Sequence, residues 1–368
     1  MEIVIEKIKE RKEVIELVER KGTGHPDTLC DSVCEEASKA LSKYYLEHFG
    51  KVLHHNIDKG LLVAGISKIR FKDGIIKKPI EIIIAGRATS KVGDHIIPVR
   101  RIILKAAKDY LRQFSLAKFK VIVDVKPGAA NLVEVFEKKV PVANDTSFGV
   151  SHFPHSELES LVLEVGDLID SESFRKKYPC VGRDFKVMGF RNDKKTVVTI
   201  AIAFISRFVK DMQHYKELKD KIVSEMRQRF KVEAYLNTLD SYEDASSVYL
   251  TISGLSAEQG DDGQVGRGNR YNQLITPNRP MSLEALAGKN VNHPGKLYQI
   301  MAYRIAKDVY EKTKAKYVEV KMLTQIGKPL SEPQVVSLRI EGEATKAEQI
   351  VRENLKNIKK IQEEIIFS

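Results

Sequence analysis

The sequence predicts an α+β fold, and three observations carry that reading. Amphipathic stretches at helical spacing recur along all 368 residues. Short β-rich runs lie between them. The two kinds of segment do not follow the strict strand–helix order that a parallel, doubly wound sheet requires. The length allows two or three domains at roughly 100–200 residues each. A composition of 42% hydrophobic and 30% charged residues fits a chain with a sizeable core.

Taken in order, Met1–Glu10 alternates apolar and charged residues and predicts a strand, not a signal peptide. Leu29–Phe49 places apolar residues at 29, 33, 37, 41, 44–45 and 49, a helical spacing. Arg101–Phe114 repeats the pattern through Ile102, Ile103, Ala106, Tyr110, Leu111 and Phe114. Ser156–Ser171 opens with Ser156 and Glu159 spaced as a capping box, then buries Leu158, Val162, Val165 and Ile169. Further helices are expected at Asp211–Lys231, Lys296–Lys314 and Ala347–Ile365. Strands are expected at Val121–Val125, Thr196–Ile205, Val248–Ser253 and Tyr317–Leu323. The apolar runs Ile80–Gly86 and Val197–Phe204 are too short to cross a bilayer, so a soluble, cytoplasmic protein with no membrane partner is expected.

A formal charge of +11 invites a polyanion, either a nucleic acid or a triphosphate. The basic residues are dispersed and interleaved with Glu, as in Lys216–Lys221 and Lys356–Glu364, and Trp is absent. Solvated helix faces explain most of them, and nucleic acid is not the expected partner. Three cysteines cannot make a disulfide framework. Cys30 and Cys34 share a helix face without a second pair at zinc spacing, so they are expected to be small core residues.

Five polar, mostly Gly-containing segments carry the candidate chemistry. Gly22-Thr23-Gly24-His25-Pro26-Asp27 leads into the first helix, whose start favours anions. His25 can donate to a phosphate or leaving-group oxygen, and Asp27 can hold a divalent metal; a plain turn and helix cap is the structural alternative. In His54-His55-Asn56-Ile57-Asp58-Lys59-Gly60, adjacent histidines would face opposite sides of a strand, leaving Asp58 as a ligand for an ammonium or a metal, or as a turn residue. Asn144, Asp145 and Ser147 group neutral polar side chains around one carboxylate, in a stretch that also reads as a good turn. Gly260-Asp261-Asp262-Gly263-Gln264-Val265-Gly266-Arg267-Gly268-Asn269-Arg270 fits neither a Walker nor a Rossmann loop, yet combines cation-binding acids with phosphate-clamping arginines. Lys289, after Gly288, can act as a point charge on phosphate or be an ordinary loop lysine.

Together, Gly24–Asp31, Asn144–Gly149, Gly260–Arg270 and Ala287–Lys296 resemble the archaeal-type S-adenosylmethionine synthetases, also called methionine adenosyltransferases. The resemblance runs from about Val14 to about Pro333. It implies three similar α/β-layered domains around a pseudo-threefold axis, with approximate and possibly interleaved boundaries at 1–135, 136–246 and 247–368. It also implies a homodimer or dimer of dimers with active sites between subunits. ATP and L-methionine are the implied substrates, Mg2+ and K+ the implied cofactors. By the same resemblance His25, Lys186, Arg267 and Lys289 are catalytic, with His25 at the departing oxygen and the cations on the triphosphate. Asp27 and Asp261 are the implied metal ligands. Asp58, Gly128, Asn131, Asn144, Asp145, Ser147, Asp261, Asp262, Arg270 and His293 are the implied substrate contacts. The sequence departs from the family pattern at Lys59, where Glu is usual, in the shortened Lys126–Leu132 stretch, and at Pro294 in a loop one residue short. These departures motivate one alternative, a homologue acting as a regulatory or stabilising subunit. Net charge alone motivates another, a nucleic-acid-binding protein, which would show salt-sensitive binding without turnover.

Overall fold

Apolar alternation builds three main sheets, and each recruits strands that are far apart in sequence. The structure is a computed structural model that describes residues 1–9, 13–128, 141–193, 195–266, 273–282 and 284–368. The first sheet runs β1 (Glu2–Lys7), β18 (Val335–Glu343), β17 (Lys314–Leu323) and β10 (Phe148–Phe153), with β1 parallel to β18. In the second, β13 (Glu233–Leu236), β12 (Thr196–Ile205), β11 (Val181–Asn192), β2 (Ile15–Lys21) and β16 (Leu274–Ile275) lie side by side. Short β14 (Leu250–Thr251) also pairs with β12. The third has the order β15 (Gly263–Gln264), β3 (His55–Val63), β6 (Ile80–Ala88) and β9 (Phe119–Lys126). Two hairpins, β4 (Ile66–Arg70) with β5 (Asp73–Lys78) and β7 (Lys91–Val92) with β8 (His95–Ile96), complete the strands described.

Helices cover one face of each sheet and give it a separate core. Against the third sheet lie α1 (Pro26–Phe49) and α2 (Val99–Leu111), which bury Leu29, Val33, Leu41, Ile103 and Ala107 among Leu62, Ile82 and Ile84. The second sheet is covered by α3 (Glu157–Asp170), α4 (Glu172–Lys177) and α5 (Met212–Phe230). The first sheet packs on α6 (Pro294–Lys312), α7 (Ala347–Lys356) and α8 (Ile358–Phe367). Cys30 and Cys34 are wholly buried on α1, as their spacing predicts.

Local chemistry explains most of the element ends. Both halves of the Ser156–Glu159 capping box are made. Asp211 caps α5 through the His214 N–H, and Lys231 closes it in the left-handed region. Three expectations are corrected. The C-terminal helix is two helices, broken at Asn357. The Val248–Ser253 strand shrinks to Leu250–Thr251, because the chain then turns so that Glu258 accepts the Ile252 and Ser253 N–H groups. Finally, β2, β10, β11 and β18 have no counterpart in the sequence reading, although in β18 Val336, Leu338 and Ile340 alternate and face the helices. No helix among the described residues is long and apolar enough to cross a membrane.

His55 shows how tightly α1 sits on β3. Its ring is wholly buried, with Nδ1 donating to the Leu53 carbonyl at 2.9 Å and Nε2 facing the Ser38 hydroxyl at 2.8 Å. Burial pushes its pKa down to about 3 from 6.5. The folded protein therefore keeps the ring neutral where the unfolded chain would protonate it. Its contribution to stability is complete above pH 6.5 and is lost as pH falls from there toward 3. Denaturant titrations between pH 7.5 and 4.5 should show weakening on acidification, with a shallower slope in His55→Gln; equal slopes would remove His55 from the linkage.

Candidate active site

The glycines of the first motif let a turn press against bare backbone. Gly22 N–H donates to Phe185 O at 2.7 Å and Gly24 N–H to Arg183 O at 2.9 Å. A Cβ on Gly24 would come within 2.8 Å of the Arg183 and Asp184 backbone, so only glycine permits this approach. The turn delivers His25 to the N-cap of α1, where its Nδ1 accepts the Asp27 N–H at 3.2 Å. The neutral ring then carries its proton on Nε2, as a donor.

Around this helix start the structure gathers a first cluster. The Asp27 carboxylate accepts the Gln264 N–H at 3.0 Å and pairs with the Lys21 ammonium at 2.7 Å. Burial would raise its pKa, but Lys21 and the Gln264 N–H outweigh it and hold the group below its usual range. Lys21 and Lys186 are register partners on β2 and β11, and both reach Glu19, at 3.5 and 3.3 Å. Beneath them, fully buried Asp184 accepts the Ser256 N–H at 2.7 Å, and the Ser256 hydroxyl lies 2.8 Å from Asp261. Burial pushes Asp184 up to about 7. Asp262 serves elsewhere, accepting the Ala64 N–H at 2.8 Å.

A second cluster lines a cleft of about 700 Å³ that contains Asp58, Asp145, Lys289 and His293. Lys289 is buried, and its ammonium lies 2.5 Å from Asp58 and 3.2 Å from Glu284. Burial would raise Asp58, yet Lys289 and Lys59 overcome this and hold it low. Lys59 is mostly exposed and adds a second ammonium at 2.8 Å from Asp58. His293 caps α6: Nδ1 accepts the Gly295 N–H at 3.0 Å and Nε2 faces Asp145 at 3.2 Å. Both nitrogens are thus used by one neutral tautomer, and burial lowers the ring's pKa. The His293 hydrogen bond is the main cause that lowers Asp145.

The remaining candidates do not line this cleft or lie outside the described residues. Gly128 lies over His54, since a Cβ there would meet Cδ2 of that ring at 2.4 Å. Asn144 and Ser147 are buried beside Asp145, and the Asn144 amide has no hydrogen-bond partner among the described residues. Asn131, Arg267 and Arg270 lie outside the described residues. Sequence reasoning missed Lys21, Asp184 and Ser256. Lys21 directly precedes the first motif and Asp184 stands two residues before Lys186, so adjacency was the available signal. Nothing local marked Ser256.

Comparison with known proteins identifies the family. A family model described as S-adenosylmethionine synthetase (AdoMet synthetase) matches residues 1–368. The S-adenosylmethionine synthase of Hyperthermus butylicus is 44% identical, with 98% of this chain and 94% of that protein aligned. The synthase of Methanocaldococcus jannaschii is also 44% identical, over 98% and 96%. A probable S-adenosylmethionine synthase of Aquifex aeolicus is 46% identical, over 95% and 89%. Among solved structures, an S-adenosylmethionine synthetase from Campylobacter jejuni superposes with a TM-score of 0.62 at 13% identity, covering 95% of this chain and 89% of that one. That likeness establishes a shared fold. The chain belongs to the S-adenosylmethionine synthetase family.

Proposed function

We propose that this methionine adenosyltransferase joins ATP and L-methionine at a centre built from both clusters. The methionine sulfur attacks C5′ of ATP, an S–C5′ bond forms, and the C5′–O bond breaks with its electron pair leaving on the triphosphate. Water then cleaves the triphosphate to phosphate and pyrophosphate. Such a displacement needs alignment and charge neutralisation more than covalent help. The observation that carries the reading is the His25 cluster at the start of α1, where helix dipole, Lys21 and Lys186 all favour an anion.

In this reading Nε2–H of His25 donates to the departing oxygen while Lys186 attracts the triphosphate. Asp27 would hold magnesium; the Lys21 ammonium beside it indicates a place for positive charge. One carboxylate plus substrate phosphates is how Mg2+ is commonly bound, so no cage of protein ligands is needed. When bound, the ion supplies neutralisation of phosphate charge. Potassium, and a cytoplasmic location, are proposed on family resemblance. Lys289 grips the triphosphate, Asp58 and Asp145 receive the methionine ammonium, and Asp261 orients substrate opposite them. Asn144, Ser147, His293 and Gly128 would shape the same cleft, while Arg267, Arg270 and Asn131 retain the contacts that their motifs imply.

The two clusters touch α1 roughly 12 Å apart, from Asp27 to Glu35 at 1.5 Å per residue. We propose that a second copy closes this gap, the His25 cluster of one subunit facing the Lys289 cluster of the other. Alternate residues on the outer faces of β2 and β3 support it: Ile15, Leu17, Leu61 and Val63 are all 39–45% exposed where polar residues are usual.

Incubation with ATP, methionine, Mg2+ and K+ should yield S-adenosylmethionine, phosphate and pyrophosphate in equal amounts; a folded protein yielding none would sink the reading. His25→Asn should cut S-adenosylmethionine formation by about 10²-fold or more with the fold intact, and an unchanged rate would take His25 out of the mechanism. Asp27→Asn should raise the magnesium concentration needed for half-maximal rate, whereas an unaltered requirement would move the metal elsewhere. Mixing and refolding His25→Asn with Lys289→Met should restore about one quarter of wild-type activity, because half the dimers are mixed and each keeps one intact site. No recovery would place both clusters in one subunit's centre.

A further inference from the structure

Next to the Lys289 cluster is a buried ion pair that the chemistry above does not use. Lys296, in the first turn of α6, is 3% exposed. Its ammonium donates to both oxygens of Glu35 on α1, at 2.6 and 2.7 Å, and to the Lys289 carbonyl at 2.7 Å. Those three bonds use all of its hydrogens. Glu35 in turn accepts the Gly288 N–H at 3.0 Å. The same ion pair therefore holds the Gly288 N–H and Lys289's own carbonyl. Ser38, one turn along α1 from Glu35, brings its hydroxyl to 3.0 Å from that carbonyl.

The opposite side of this loop is fixed as well. Ile57 N–H donates to Gly288 O at 2.6 Å. Gly288 has φ +77°, and a Cβ there would lie 2.1 Å from Ile57 O. The loop is thus clamped between α1 and β3, with the Lys289 side chain leaving it toward Asp58. Buried ion pairs contribute little net stability compared with apolar residues of the same volume. This one instead sets where a backbone segment stands.

We propose that Glu35 and Lys296 are positioning residues that hold the 288–289 backbone so that the Lys289 ammonium meets the triphosphate. The inference rests on the reading of Lys289 as a triphosphate ligand. Replacing Glu35 leaves α1 and α6 in place but frees the loop, and Lys289 then retreats to its carboxylate partners. Misplacement of about 1 Å is enough to cost about 10²-fold in rate.

The test is steady-state kinetics of the full-length protein on ATP with methionine, and on added tripolyphosphate. Glu35→Gln keeps the shape and an acceptor for Gly288 N–H but loses the charge. It should lower kcat/KM for tripolyphosphate by about 10²-fold while the KM for methionine stays unchanged. Glu35→Asp, which keeps the charge, should lose less than Glu35→Gln. In the Glu35→Gln background, Lys289→Met should add little, whereas His25→Asn should multiply the defect. Wild-type kinetics in Glu35→Gln beside a crippled Lys289→Met would overturn the positioning role alone. Equal loss toward both substrates with a lowered Tm would also overturn it, as ordinary structural damage. An unimpaired Lys289→Met would instead overturn the reading of Lys289 itself. If Glu35→Gln does not fold, Glu35→Asp, which keeps the charge but shortens the reach to the Gly288 N–H, decides the matter: a selective loss on tripolyphosphate supports the role and wild-type kinetics overturn it.

Discussion

The contact on which the first cluster depends is one backbone lying on another without side chains between them. Gly22 and Gly24 bring the turn before α1 against the Arg183–Phe185 backbone. From the other side, Gly263 sets its own backbone against Pro26 and Asp27. Three segments, from residues 22–27, 183–185 and 263, so meet at one helix start. His25, Asp27, Lys186 and Asp261 need no long reach, because the backbones that carry them already touch. A side chain at either turn glycine would lift the helix start off β11 and separate the cations from the dipole they reinforce.

Charge in the two clusters is arranged by pairing, against the tendency of burial. Asp27 and Asp58 would both be raised by desolvation, and each is held low by lysines. Asp145 is held low chiefly by His293. Three carboxylates thus stay ionised next to three ammonium groups, Lys21, Lys59 and Lys289. Under the proposed function, an incoming triphosphate and an amino acid would exchange partners with these groups and would not need to create new buried charge. That exchange limits the desolvation cost that isolated buried ions would carry.

The fold class and most helices were legible because their signals are local: apolar spacing, caps and the glycine punctuation around Gly22 and Gly260. Ser156 and Glu159 stand three apart and make their capping box as the spacing predicts. Sheet membership was not legible, since β1 pairs with β18 and β2 lies between β11 and β16 through contacts no window can hold. The same limit applies to the site. His25, Asp58, Asp145 and Lys289 sit in polar segments that announce themselves. Glu35 reads as one more polar residue on an amphipathic helix, and its partner Lys296 as a helix-start lysine. Their shared burial arises only when α1 and α6 approach each other.

Ser256 adds a constraint of proton counting. Its oxygen lies 2.5 Å from Asp184 and 2.8 Å from Asp261, yet a hydroxyl has one proton to give. Both contacts are favourable only if one carboxyl supplies the other proton. Asp184 is the group raised toward neutral pH by burial, while Asp261 is exposed to solvent. Burial therefore favours Asp184 as the carboxyl that takes up a proton first, and Ser256 links it to Asp261. Ser256 in this way ties an exposed carboxylate to a buried one, so the place of Asp261 is set from beneath.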